Sequence, residues 1–133
     1  FSCSGFKNKI IEKSFYENGH IKYKIEKLHG KIDGLAIHWR EDGSLKNKVE
    51  YSNDLIHGQW IEYYLSGKIN SITNYIFGEK NGLEIFYYEN GFKNGSEVWY
   101  YENSLPKTED IYNNGNKISE TIRWDLNGDI IYK

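Results

Sequence analysis

The sequence predicts an all-β chain: an elongated, curved, single-layer antiparallel sheet of tandem β-hairpin repeats, each about 24 residues long. Three observations carry that prediction. Gly19, Gly43, Gly67 and Gly91 fall 24 residues apart, and Gly34, Gly58 and Gly82 share the period. Asn or Asp precedes the glycine at 19, 43 and 91, a pairing suited to two-residue type I′ hairpin turns. Apolar and polar residues alternate on both sides of each turn, and no window shows the 3.6-residue period of a helix.

The elements follow from the turn glycines. Residues 1–12 read as a flexible N-terminal segment and residues 13–133 as the repeat array. Six and four residues before each turn stand Ile37/Trp39, Ile61/Tyr63, Ile85/Tyr87, Val98/Tyr100 and Ile122/Trp124, expected to share one buried face with Trp39, Tyr63, Tyr87 and Tyr100 as neighbouring rungs. The step then shortens to 13: Ser104 of Tyr101-Glu102-Asn103-Ser104 lies 13 after Gly91, Gly95 lies 13 after Gly82, and the 24-residue step returns at Gly128. Residues 83–95 therefore lack about 11 residues, roughly one strand by repeat arithmetic. Gly91 and Gly95 read as two hairpin turns close together.

Composition narrows the function classes. Aromatics make up 17% of the 133 residues, too many for a disordered chain. The net charge of −2 shows none of the basic excess of a nucleic-acid domain. No apolar run approaches the roughly 20 residues of a membrane-spanning helix.

Residues on the opposite parity form a second stripe. Trp60, Tyr64, Phe86, Tyr88, Trp99 and Tyr101 are expected to stand together on the other face, as an aromatic contact surface for a partner protein.

The pattern Tyr-Tyr-Glu-Asn-Gly, an apolar-basic pair, then Tyr-x-x-Gly and a further Asn-Gly resembles the MORN-repeat variant, in the form found in bacterial proteins of the YwqK-like antitoxin family. Residues 59–82 are the clearest copy; residues 35–58 and 83–95 follow, and the resemblance covers about residues 13–133. It implies curved hairpin sheets that bind other proteins, with antitoxin, immunity-like and lipoprotein members. The sequence departs from the pattern in its short fourth repeat, in Ser104 at a turn-glycine position and in Pro106 after it.

Candidate chemistry is sparse. His20, His29, His38 and His57 lack metal-ligand spacing, and the lone Cys3 has no partner thiol for a zinc site. Asp125–Asp129 only faintly resembles a calcium loop and occupies a repeat turn. The expectation is no enzyme, no cofactor and no metal. Ser2-Cys3-Ser4 resembles the start of a bacterial lipoprotein, so Cys3 is a candidate lipidation site and the cell envelope a candidate location, with the cytoplasm as the alternative. Two readings result: a non-enzymatic protein-binding module, antitoxin- or immunity-like, or an envelope lipoprotein that binds carbohydrate or another surface component. Neither involves nucleic acid.

Overall fold

The computed structural model describes residues 8–132; all its strands belong to one open antiparallel sheet, and the described residues contain no helix. The strands are β1 (Ile10–Phe15), β2 (Ile21–Leu28), β3 (Lys31–Trp39), β4 (Leu45–Ser52), β5 (Leu55–Tyr63), β6 (Ile69–Ile76), β7 (Glu79–Tyr87), β8 (Lys93–Tyr100), β9 (Pro106–Asn113), β10 (Asn116–Lys117), β11 (Ile122–Trp124) and β12 (Ile130–Tyr132). Each pairs with its chain neighbour, except that β10 and β11 both pair with β9. The array begins at Ile10, earlier than the expected boundary at residue 13, because Ile10, Ile11 and Glu12 pair with Lys27, Glu26 and Ile25.

The turns at Asn18-Gly19, Asp42-Gly43 and Asn90-Gly91 are not type I′. At the first, the Gly19 amide donates to the Tyr16 carbonyl (3.0 Å) and the Tyr16 amide to the His20 carbonyl (2.8 Å). Gly19 has φ +89°, whereas Asn18 keeps negative φ. This is a three-residue loop with its glycine in the left-handed region. Asn18 is there for its side chain, which accepts the His20 amide at 3.0 Å. Asp42, Asn90 and Asn103 accept in the same way from Ser44, Phe92 and Leu105. The type I′ signature lies at the other ends of the strands. His29-Gly30, Asn53-Asp54, Phe77-Gly78 and Asn114-Gly115 are the pairs with two consecutive positive φ values.

The second glycine series sits inside strands. Ile25 and Lys27 pair with Ala36 and Ile32, so three residues of β2 face five of β3, with Gly34 in the bulge. Bulges in the same place hold Gly58 in β5 and Gly82 in β7. Gly95 holds this position in β8 and is not a turn residue, which corrects the reading of two adjacent turns. A Cβ on Gly34 would lie 2.0 Å from Oε2 of Glu26, which folds over the glycine to accept the Leu35 amide (2.9 Å). Glu50 does the same at Gly58 for the Gln59 amide (2.6 Å). The next position in the series is Ser119, and there the strand breaks into β10 and β11.

The slip removes one strand, so β7 and β8 are strands of the same kind lying side by side. The next three-residue turn, Tyr101–Leu105, therefore falls on the edge that carried the two-residue turns; Ser104 Oγ reaches Glu79 Oε2 there (3.3 Å). Asn114-Gly115 falls on the other edge, where Asn90 Nδ2 donates to Asn114 Oδ1 (3.0 Å). The faces exchange as well. The cross-strand row Glu12, Ile25, Ala36, Val49, Trp60, Thr73, Glu84, Val98, Glu109, Ile122 lies on one face. The row Lys13, Lys24, Ile37, Lys48, Ile61, Ile72, Ile85, Glu97, Asp110 lies on the other. Val98 and Ile122 thus stand opposite Ile37, Ile61 and Ile85, contrary to the single-face expectation. Tyr100 likewise leaves Trp39, Tyr63 and Tyr87, and bonds Glu84 on the Trp60 face (3.2 Å). The segment after the slip is in effect turned half a revolution about the long axis of the sheet.

Burial is concentrated on the Trp60 face. Ala36, Val49 and Val98 are its buried apolar residues, with Ser71 and Glu84 as buried polar ones. The Glu84 carboxylate is held by Thr73 Oγ1 (3.1 Å), Tyr100 OH (3.2 Å) and Lys80 Nζ (2.8 Å), which compensates its burial. Larger side chains shelter these positions; the Trp60 and Tyr75 rings lie 6.3 Å apart.

Candidate functional site

The six residues of the aromatic stripe do not share a face. Trp60 belongs to the row just described, and Phe86 pairs with Ser71 beside it. Trp99 pairs with Leu83 and points to the Ile61 face. The single-parity argument fails because it carried one count across the slip, where the face changes.

Three of the six brace the sheet through their hydroxyls. Tyr64 OH donates to the Tyr87 carbonyl (2.7 Å) and Tyr101 OH to the Trp124 carbonyl (2.9 Å), each 23 residues on. Tyr16 makes the same bond to Trp39 (2.8 Å), and the Arg40 guanidinium substitutes at its place by donating to the Tyr63 carbonyl (2.6 Å). Tyr88 stands at the slip and reaches the Asn113 side chain instead (3.1 Å). Trp60 Nε1 donates to Glu62 Oε1 at 2.5 Å. The brace was readable in the sequence as a polar residue three places before each turn glycine.

Phe86, Tyr88 and Trp99 keep large exposed areas, Trp99 at 46%. Trp99 borders an open groove of about 390 Å³ with Asn74, Asn81 and Leu83. Leu83 lies next to Ile85, so the groove continues the half-buried row Ile61, Ile72, Ile85. This strip of the Ile61 face, ending in an exposed indole, is the candidate site. Sequence reasoning had placed Ile61 and Ile85 in the core and passed over Leu83.

Three histidines have structural partners. His57 stacks on Phe77 at 4.4 Å and its Nδ1 accepts the Phe77 amide. His38 Nδ1 meets Asn47 Oδ1 at 2.9 Å, and His20 Nδ1 meets the Glu41 carbonyl at 2.8 Å. Asp125 Oδ1 accepts the amides of Asn127 and Asp129, as its turn requires. Among the described residues no three His, Cys, Asp or Glu side chains converge, and no helix is long and apolar enough to cross a membrane. Cys3 lies outside the described residues.

Residues 10–26, 32–53 and 56–76 match the MORN repeat variant. The matched segments correspond to the hairpins β1–β2, β3–β4 and β5–β6, each closed by a three-residue turn. The match stops before β7, the last strand ahead of the slip. MORN repeats commonly serve as modules that bind proteins or membranes, and a repeat array of this kind fits a binding role. No curated protein gives a significant match to the chain.

Proposed function

We propose that the chain is a non-enzymatic binding module whose ligand is another protein, held on the Ile61 face. The observation that carries this reading is the directly opposed pair Leu83–Trp99, which extends the isoleucine row into an open groove with its indole exposed. Aromatic anchors at the end of an apolar strip are where interface energy concentrates. Trp99 thus keeps the partner-contact role given to the aromatic stripe. Phe86 and Tyr88 are candidates for a lesser contact on the opposite face and at its edge. An antitoxin or immunity role, with a toxin as the partner, is the finer form of this reading and rests on the sequence resemblance alone. A lipidated Cys3 and an envelope location rest on Ser2-Cys3-Ser4 alone.

The test is affinity capture from the native source with the unaltered chain, the Trp99→Ser variant and the Phe86→Ser variant. Loss of the captured partner with Trp99→Ser, at unchanged melting temperature, supports the assignment. Equal capture by all three chains overturns it. A second reading, carbohydrate binding, is favoured by the indole beside the amide of Asn81 in the same groove; retention on immobilised polysaccharide, lost with Trp99→Ser, would select it.

A further inference from the structure

The same face carries three lysines in one cross-strand row. Lys13 and Lys24 are directly opposite each other, and Lys48 follows across Ile37. Like charges facing each other across a strand pair are destabilising. Among the described residues, none of the three has a carboxylate within ion-pair distance, a property they share with Lys22, Lys31, Lys46, Lys68 and Lys107 but not with Lys9, Lys27, Lys80, Lys93 and Lys117. Glu26 and Glu50, two residues further along the same face, are turned onto Gly34 and Gly58 and accept backbone amides there. The row then continues as Ile61, Ile72 and Ile85. At about 4.8 Å per strand, the seven positions from Lys13 to Ile85 span roughly 30 Å; the first four hold three lysines interrupted by Ile37, the last three are isoleucines, and Glu97 follows them.

We propose that this line receives a segment of another protein with carboxylates at one end and apolar side chains at the other. The acidic end lies over Lys13, Lys24 and Lys48, and the apolar end over Ile61, Ile72 and Ile85 toward Trp99. The proposal rests on the protein-binding reading above and adds the chemistry and direction of the partner. Charge complementarity selects the acidic end. The change from cationic to apolar along one line selects a polypeptide, because a bilayer surface or a nucleic-acid backbone is uniform along such a line.

The experiment is a fluorescence-anisotropy titration of the intact chain with a labelled peptide whose first half is glutamate-rich and second half leucine-rich. A peptide of the same composition in scrambled order, phosphatidylserine vesicles and a single-stranded oligodeoxynucleotide are the comparison probes. The expected result is preference for the ordered peptide, with affinity falling about tenfold from low to physiological salt. Lys24→Glu with Lys48→Glu should abolish that binding. The melting temperature should hold or rise, because Lys24→Glu places opposite charges at the Lys13 pair. The proposal is overturned if ordered and scrambled peptides bind alike, if neither binds, if vesicles or oligonucleotide bind in preference, or if the charge-reversed variant binds as before. Its failure is separable from that of the protein-binding reading. A native partner lost with Trp99→Ser but retained with the lysine reversals leaves the module and removes only the acidic end.

Discussion

Glu84 and Glu97 occupy the same place in the repeat, 13 residues apart, yet they point to opposite faces of the sheet. Glu84 pairs with Val98 and bonds Lys80; Glu97 pairs with Ile85 and bonds Lys93. The surroundings repeat too: Lys80 lies 5.6 Å from the Tyr100 ring and Lys93 4.8 Å from the Tyr112 ring. One missing strand has carried an intact local cluster to the other side of the molecule.

The bulge glycines Gly34 and Gly58 should be less replaceable than the turn glycine Gly19. Gly34→Ala forces a Cβ to 2.0 Å from the Glu26 carboxylate at φ +113°, whereas Gly19→Ala meets open space at φ +89°. The expected cost is about 1 kcal/mol for Gly19→Ala and roughly 2–3 kcal/mol for Gly34→Ala. Urea denaturation of the two variants decides it; equal losses would mean that Glu26 swings away without cost.

Ser104→Gly should stabilise the array. Ser104 holds φ +66° at a position where the other repeats have glycine. Relief of the left-handed strain is worth about 1 kcal/mol, against a small loss from its exposed contact with Glu79. A lowered denaturation midpoint would show that the serine contact outweighs the strain.

The hydroxyl braces should be measurable one by one. Tyr64→Phe and Tyr101→Phe each remove a bond to a backbone carbonyl, at about 1 kcal/mol apiece. Tyr88→Phe should cost less, because its acceptor is an exposed Asn113 side chain that water can satisfy. Thermal unfolding of the three variants gives the ranking, and the opposite order would remove the brace interpretation.

Stability should fall at alkaline pH. The Glu84 carboxylate raises the Lys80 ammonium above its ordinary value, and burial raises the Tyr100 phenol, with Glu84 adding to it. The folded state therefore holds both protons more tightly than the unfolded state. Their contribution is complete below about pH 10 and is lost as pH rises through the raised values. Asp110 acts at the acid limit. Burial opposes its ionisation, but hydrogen bonds from Lys117 and Thr121 outweigh it and hold the carboxyl below its usual range. That stability is present above about pH 4 and lost below it. Glu84→Gln should flatten the alkaline limb of the stability curve and Asp110→Asn the acid limb; unchanged limbs would assign them to other groups.

Much of the candidate site was visible in the sequence as residue types and was assigned to the wrong places. Ile61, Ile85 and Trp99 all stood out, but the first two were read as core and Trp99 as standing with Trp60 and Phe86. In a single-layer sheet, parity decides the face, so one uncompensated residue reverses every later assignment. The bulge in β8 at Gly95 supplies that residue: Glu84 pairs with Val98, one place beyond the register of the earlier repeats.

The 24-residue period, the alternation and the glycines were enough by themselves to determine the strands, the repeat, the positions of the turns at Gly19, Gly43, Gly67 and Gly91, and the missing strand. Those properties are local, set by φ preferences and side-chain period within about ten residues of chain. Only the tertiary structure decided which glycines make bulges, which residues share a face, and that Lys13, Lys24 and Lys48 meet in one row. These depend on pairing register between strands, and register is fixed by cross-strand packing and by carboxylates such as Glu26 folding over Gly34. Neither can be counted along the chain.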